Sequence, residues 1–321
     1  MSHQIDASTL IGREFGGRFT DPAVTADGSP RARVDLRRID TLWLNTGTLC
    51  NLACTHCYIE SSPSNDRLSY LTRAEAAGYL GELASLGHGT RSIGFTGGEP
   101  FMNPDFMGML EDALAAGHEA LVLTNAMKPM YKCRHELLAL RERFGARLTL
   151  RVSVDHYLPE RHREERGPRS WKPMLDGLRW LVAEGFRTHV AGRTLWDESE
   201  DELRAGFARL FERESIALDA HDPQTLILFP EMDEAAQVPE ITDACWKLLG
   251  VDPAQMMCAS SRMVVKRRGA ARPAVVACTL LPYDPRFELG ITLAEALAPV
   301  PLNHPHCARF CVLGGGSCGG G

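Results

Sequence analysis

From residue 41 to residue 229, short apolar runs alternate with longer stretches in which apolar residues recur every three or four positions, and the two periods predict different elements. The runs at 41–45 (TLWLN), 92–96 (SIGFT), 120–124 (ALVLT), 148–155 (LTLRVSVD), 187–192 (RTHVAG) and 225–229 (TLILF) predict strands. Thr72 and Glu75 form a capping-box pattern at the head of a helix that puts Leu80, Leu83 and Ala84 on one face and ends at Gly87. Asn103 and Pro104 predict the cap of a second helix, with Met107, Leu110 and Leu114 on one face and Gly117 beyond its end. Further helices are expected near 134–144, 170–185 and 198–213.

Strands separated by helices of this length make right-handed crossovers and a parallel sheet, so about six such units predict an α/β fold, an open or closed β/α barrel. Functional groups in such folds gather at the C-terminal ends of the strands. Residues 1–38 lack sustained periodicity and read as an arm wrapping the rest of the chain, while after about residue 233 the rhythm breaks into short pieces rich in Pro, Gly and Cys. The expected organisation is therefore an arm (1–38), a barrel (39–232) and a Cys-rich C-terminal domain (233–321).

Composition narrows the function classes. With 44% hydrophobic and 24% charged residues in 321, the chain is of the ordinary globular class. A net charge of -6 argues against nucleic acid as a partner, because that binding relies on Lys and Arg neutralising phosphates. No basic-then-apolar signal region opens the chain, and no apolar stretch approaches the roughly 18 residues of a membrane span, so no membrane partner and a cytoplasmic location are expected. Ten cysteines are many for such a compartment, where dense thiols more often bind metal than form disulfides.

The cysteines fall into two groups. Cys50, Cys54 and Cys57 lie on the loop after the first strand, whereas Cys258, Cys278, Cys307, Cys311 and Cys318 occupy the last quarter; Cys133 and Cys245 read as ordinary core cysteines. A tight loop can wrap three thiolates around one corner of a cubane and leave its fourth iron open, which suits a cluster that binds a substrate. A zinc site is the competing reading, with His56 as a possible fourth ligand, and it would make the chain a non-enzymatic structural or interaction protein.

The run Cys50-Asn-Leu-Ala-Cys54-Thr-His-Cys57-Tyr58 resembles the CxxxCxxC signature of the radical S-adenosylmethionine (radical SAM) superfamily, with its aromatic residue after the last cysteine. Gly97-Gly98-Glu99-Pro100 at the end of the second strand is similar to that family's GGEP segment, which binds the amino group of S-adenosylmethionine. Asn125 after the third strand, Ser153 and Asp155 at the end of the fourth, and Arg166-Gly167 with Ser170-Trp171 before a helix continue the resemblance, which covers roughly residues 39–232. It narrows the α/β fold to a partial (β/α)6 barrel, and implies a 4Fe-4S cluster on Cys50, Cys54 and Cys57, and S-adenosylmethionine held by Tyr58, Gly97, Gly98, Glu99, Asn125, Ser153 and Asp155, with Arg166 and Arg193 as candidate carboxylate clamps. Reductive cleavage would give a 5′-deoxyadenosyl radical that attacks a peptide or small-molecule substrate, with the electron coming from a low-potential donor such as flavodoxin or ferredoxin.

More weakly, Cys258, Cys278, Cys307 and Cys311 resemble the twitch arrangement, a shortened relative of the SPASM domain in which four cysteines hold an auxiliary 4Fe-4S cluster. The strand-like 274–278 and the segment 287–297 look like that domain's hairpin and helix, and the chain ends at Gly321 before a second full cysteine set. Cys318 then makes five candidates for four places, and its Gly-rich flanks read as a flexible tail. A Cys-containing glycine tail is also similar to the end of radical SAM enzymes of arsenosugar biosynthesis. The N-terminal 38 residues are too few for a leader-peptide recognition domain of ordinary size.

Overall fold

In the computed structural model, which describes residues 17–231 and 237–315, the apolar runs become strands of one sheet. A short strand in the arm, Arg33–Val34 (β1), precedes Thr41–Asn45 (β2), Ser92–Thr96 (β3), Glu119–Thr124 (β4), Leu148–Asp155 (β5), Arg187–Arg193 (β6) and Leu226–Phe229 (β7). Strands β2 to β7 pair in sequence order and all parallel, as the alternation of strand and helix requires. The sheet does not stop there. Ser261–Val265 (β8) adds parallel to the free side of β2, and Ala274–Val276 (β9) and Glu288–Gly290 (β10) follow antiparallel, giving nine strands with β10 and β7 at the edges. This is a partial barrel whose ends do not pair with each other, and the sheet runs on across residue 233 rather than ending at it.

The helices lie in the crossovers. Arg73–Leu86 (α1) starts in the expected capping box and ends at Gly87 in the left-handed conformation. Its buried stripe is Ala76, Tyr79 and Leu83, whereas Ala84, expected on that face, is exposed. The second helix, Phe106–Ala115 (α2), begins later than Asn103 and Pro104 predict. The Asn103 side-chain oxygen accepts from the Asp105 amide at 2.8 Å, ahead of the helix, while its side-chain amide donates to the carbonyls of Thr46 and Leu71 at 2.9 and 2.8 Å, tying this turn to the loop after β2. The remaining helices are Lys128–Lys132 (α3), Arg134–Phe144 (α4), Pro159–Arg166 (α5), Trp171–Ala183 (α6), Glu200–Arg213 (α7) and Asp243–Leu249 (α8). The antiparallel pair β9 and β10 is the expected hairpin, whereas the expected helix is reduced to a 3-10 turn, Glu295–Leu297.

Strand alternation divides the apolar residues into two clusters. On β2, Leu42 and Leu44 join the cluster packed under the helices, while Trp43 points to the other face and joins Leu121, Met263, Val265 and Val276 with Met257, Leu280 and Phe310 of the C-terminal segment. A Cβ on Gly94 would lie 2.3 Å from the Trp43 ring, which is why a glycine interrupts β3. The arm is sewn to the C-terminal segment: β1 pairs with Val300–Pro301 (β11), Ala32 donates to the Ile241 carbonyl at 2.9 Å, and buried Arg31 pairs with Glu240. Cys133 and Cys245 are half-buried at the margins of the two clusters rather than inside them. Among the described residues no helix is long and apolar enough to cross a membrane.

Candidate functional site

A cavity of about 180 Å³ opens at the C-terminal ends of the strands. Its wall contains Cys50, Cys54, Cys57 and Tyr58 from the loop after β2, Gly97 and Gly98 after β3, Asn125 after β4, Ser153 and Asp155 on β5, and Arg166 and Arg193. Residues dispersed over 144 positions of sequence therefore meet in one place. Glu99 does not line the cavity.

The cysteine loop is held from several sides. Cys50 donates its amide to the Ser62 carbonyl at 3.0 Å, and Thr48 exchanges hydrogen bonds with the Leu68 backbone. The far end is fixed to α5, where the Thr55 amide and hydroxyl donate to the carbonyls of Glu165 and Glu164 at 2.8 and 3.0 Å. The glycines interlock with the near end: Gly98 donates to the Gly47 carbonyl at 2.8 Å and Glu99 to that of Leu49 at 3.2 Å. Gly97 has φ +131°, and a Cβ there would lie 2.4 Å from the Gly47 carbonyl oxygen. The two glycines thus permit a close approach of two backbones as well as forming cavity wall.

Glu99 acts one layer behind. Its carboxylate accepts from the Thr124 hydroxyl at 2.8 Å and the Asn125 amide at 2.9 Å. Asn125 in turn donates its side-chain amide to Asn51 at 2.9 Å, with Cys50 Sγ at 3.9 Å. Besides the ammonium contact expected from the sequence, its oxygens fix the end of β4 beneath the cysteine loop. Burial pushes the Glu99 carboxyl up to about 7 against the hydrogen bonds that favour its charge. An acid whose pKa is higher folded than unfolded binds the extra proton in the folded state, so its contribution to stability is lost as pH rises from about 4.5 to about 7. We expect Glu99→Gln to remove this slope, on the order of 3 kcal/mol. Denaturant unfolding of both proteins at pH 5 and pH 8 checks it; parallel pH dependences would show that Glu99 is not protonated.

The thiols are suited to a metal cluster. Cys50 Sγ accepts from the Leu52 amide and Cys57 Sγ from the Ser61 amide, both at 3.4 Å, the kind of amide contact that cluster sulfurs also accept. Burial pushes the Cys50 thiol up to about 12 and also raises Cys54, against the pull of Arg166. Bare thiolates would be costly here, and a cation that replaces their protons removes that cost. His56, the alternative fourth ligand, hydrogen-bonds Glu165 at 2.7 Å. Among the described residues no three His, Cys, Asp or Glu side chains converge as the ligands of a single ion would.

Both candidate carboxylate clamps have carboxylate partners within the protein. Arg166 makes a two-pronged ion pair with Asp155 at 2.6 and 3.0 Å, and Arg193 pairs with buried Glu165 at 2.9 Å. Burial alone would raise the Asp155 carboxyl, but Arg166 holds it below its ordinary range. Asp155 has φ +63° at a register shift in β5, a strained position that turns the strand end into the cavity. Sequence reasoning missed Arg151, buried on β5 and part of the wall. The signal was present, since a charged residue sits between Leu150 and Val152 in a strand that is otherwise uncharged from 148 to 154. It also missed Phe229, Pro230, Leu280 and Phe310, which close the other side of the cavity.

Leu280 lines a second, small cavity as well, together with Cys258, Cys278, Cys307 and Cys311. Cys258 precedes β8, Cys278 follows β9, and Cys307 and Cys311 lie one turn apart in the π-helical segment Cys307–Leu313. Burial pushes Cys258 up to about 11 and Cys307 well above the ordinary thiol range. Cys278 Sγ accepts from the Leu280 amide at 3.4 Å. Cys318 lies outside the described residues.

Several known proteins are similar to this chain. A GTP 3',8-cyclase of Aeromonas hydrophila is 30% identical over 159 residues, which are 47% of this chain and 44% of that protein. The antilisterial bacteriocin subtilosin biosynthesis protein AlbA of Bacillus subtilis is 28% identical over 180 residues, 56% of this chain and 37% of AlbA. The chain thus spans about half, or less, of these relatives' length. Among solved structures, Streptococcus suis SuiB bound to S-adenosylmethionine superposes with a TM-score of 0.57 at 10% identity, covering 79% of this chain and 63% of SuiB. Native anSMEcpe with bound AdoMet gives 0.56 at 14%, covering 80% of each chain. At such identities the likeness is one of fold. The family model of the radical SAM superfamily matches residues 44–209, slightly more than half of the chain.

Proposed function

The chain belongs to the radical SAM superfamily, and from that premise we propose that it is a two-centre enzyme whose substrate sits between the Cys50, Cys54 and Cys57 loop and the four-cysteine segment. The family implies S-adenosylmethionine and a 4Fe-4S cluster, and displaces the reading of the chain as a zinc-binding structural protein. The observation that carries the two-centre reading is Leu280, one side chain on the walls of both cavities.

The residues fit both groups. Cys50, Cys54 and Cys57 would hold the first cluster, and Cys258, Cys278, Cys307 and Cys311 an auxiliary one, with residues 39–232 and 233–321 dividing the work. When bound, the first cluster and S-adenosylmethionine supply a reductively generated carbon radical. The protein's own task is placement. Gly97 and Gly98 present close backbone to the ligand, and Asn125 fixes the end of β4 against the cysteine loop. Tyr58, Ser153 and Asp155 offer polar contacts, while Arg166 and Arg193 form a cationic wall steadied by Asp155 and Glu165. Phe229, Leu280 and Phe310 exclude water, as a reactive carbon radical demands. A low-potential donor such as flavodoxin or ferredoxin would supply the electron.

A peptide is the preferred substrate, supported by the fold likeness to SuiB with its precursor peptide SuiA and to anSMEcpe with the peptide Cp18Cys. A nucleotide-like small molecule is the second reading, favoured by the GTP 3',8-cyclase relatives and by three arginines on the cavity wall, Arg151, Arg166 and Arg193. Anaerobically reconstituted protein is expected to carry about eight irons per chain and to release 5′-deoxyadenosine from S-adenosylmethionine with dithionite. About four irons would remove the auxiliary cluster; stoichiometric zinc without iron would remove both. Substrate-dependent stimulation by short peptides or by GTP separates the two substrate classes.

A further inference from the structure

We propose that Arg262 is the counter-charge of the second metal centre, a positioning residue that favours its more reduced state; this rests on the two-centre reading above. Arg262 is the second residue of β8 and is fully buried. Its guanidinium donates to the carbonyls of Ala296 and Ser261 at 2.8 Å, Cys258 at 2.6 Å and Ala298 at 3.2 Å. These bonds orient the group without neutralising it. Among the described residues no carboxylate is ion-paired with Arg262, and the ionisable groups that bear on it are the thiols of Cys258 and Cys278.

A buried charge without a compensating one costs several kcal/mol, and an apolar side chain would fill the same volume more cheaply. Free thiols are neutral at ordinary pH, whereas metal-bound thiolates are deprotonated and negative. Four thiolates around a 4Fe-4S core leave the oxidised centre with two net negative charges. The missing counter-charge of Arg262 is therefore present when the four cysteines hold their cluster. Reduction adds one electron and makes or breaks no bond, so the centre gains one further negative charge. A fixed guanidinium nearby stabilises that form more than the oxidised one and raises the potential.

The test uses the full chain with Cys50, Cys54 and Cys57 replaced by alanine, so that only the second centre loads, and reads iron content and the midpoint potential from an EPR-monitored dithionite titration. Arg262→Gln keeps amide donors but removes the charge. It is expected to keep the iron and to shift the oxidised-to-reduced ratio at fixed potential about tenfold toward oxidised, ~59 mV for one electron. Arg262→Lys keeps the charge and is expected to shift it by clearly less. Equal potentials in the parent and the Arg262→Gln form, with iron retained, would overturn the proposal. If Arg262→Gln fails to load, loading of Arg262→Lys supports the charge and failure of both refutes it. A parent without iron would instead overturn the two-centre reading on which the proposal stands.

Discussion

Replacing Cys50, Cys54 and Cys57 together by alanine is expected to lower 5′-deoxyadenosine formation below detection while leaving about half the iron in place. The loss is total because the three thiols share one loop and one wall of the cavity, and among the described residues no other cysteine lines it. Cys133 belongs to the α3–α4 junction and Cys245 to the start of α8. The retained iron follows from the separate lining of the second cavity, which contains none of the three. The loop itself should persist, since its anchors are backbone bonds from Thr48, Cys50 and Thr55 rather than thiol contacts. Iron analysis beside a dithionite-driven cleavage assay reads both quantities. Residual cleavage in the triple variant would show that these residues do not hold the reactive cluster, and loss of all iron would show that the two sites are not independent.

Gly98→Ala is expected to have the largest effect of any single methyl group added to this chain's site. The new Cβ would lie 2.1 Å from the Leu49 carbonyl oxygen and close to that of Thr48, and both neighbours are backbone, which cannot rotate away. Relief requires the loop leading to Cys50 to move, breaking the bonds from Gly98 to Gly47 and from Glu99 to Leu49. A stability loss of about 3 kcal/mol or more is expected, from the strain and the two lost buried hydrogen bonds. Affinity for S-adenosylmethionine should fall at least tenfold. Gly81→Ala on the open face of α1, where a Cβ meets nothing within 4 Å, serves as the control. Calorimetric titration with S-adenosylmethionine and denaturant unfolding measure the two effects. An unchanged affinity in Gly98→Ala would mean that the turn can adapt and that its glycines are not required for the approach of the two backbones.

The six parallel strands and most crossover helices were legible because each rests on a local period that burial on one or both faces imposes. Where the reading failed, tertiary demand had displaced a local signal. Asn103 looks like the helix cap, yet its side-chain oxygen serves the Asp105 amide ahead of the helix while its amide ties that turn to Thr46 and Leu71. Ala84 lies near the predicted stripe of α1, but Tyr79, which reaches the Pro273 carbonyl, sets the phase of the helix.

The site divides in the same way. The sequence by itself determined which groups are candidates for the chemistry, because three cysteines at fixed spacing on a post-strand loop, and a glycine pair after the next strand, are local constraints on how closely chains and ligands can approach. Only the tertiary structure decided what those groups do to one another. Glu99 became a support beneath the cavity, Arg166 and Arg193 were each tied to a carboxylate, and β8 joined the sheet beside β2, which brings the second cysteine group within one leucine of the first cavity. No local pattern encodes these outcomes, since a side chain's partner on another element depends on strand order and on the orientation of both backbones, and strand order is fixed by packing summed over the whole sheet.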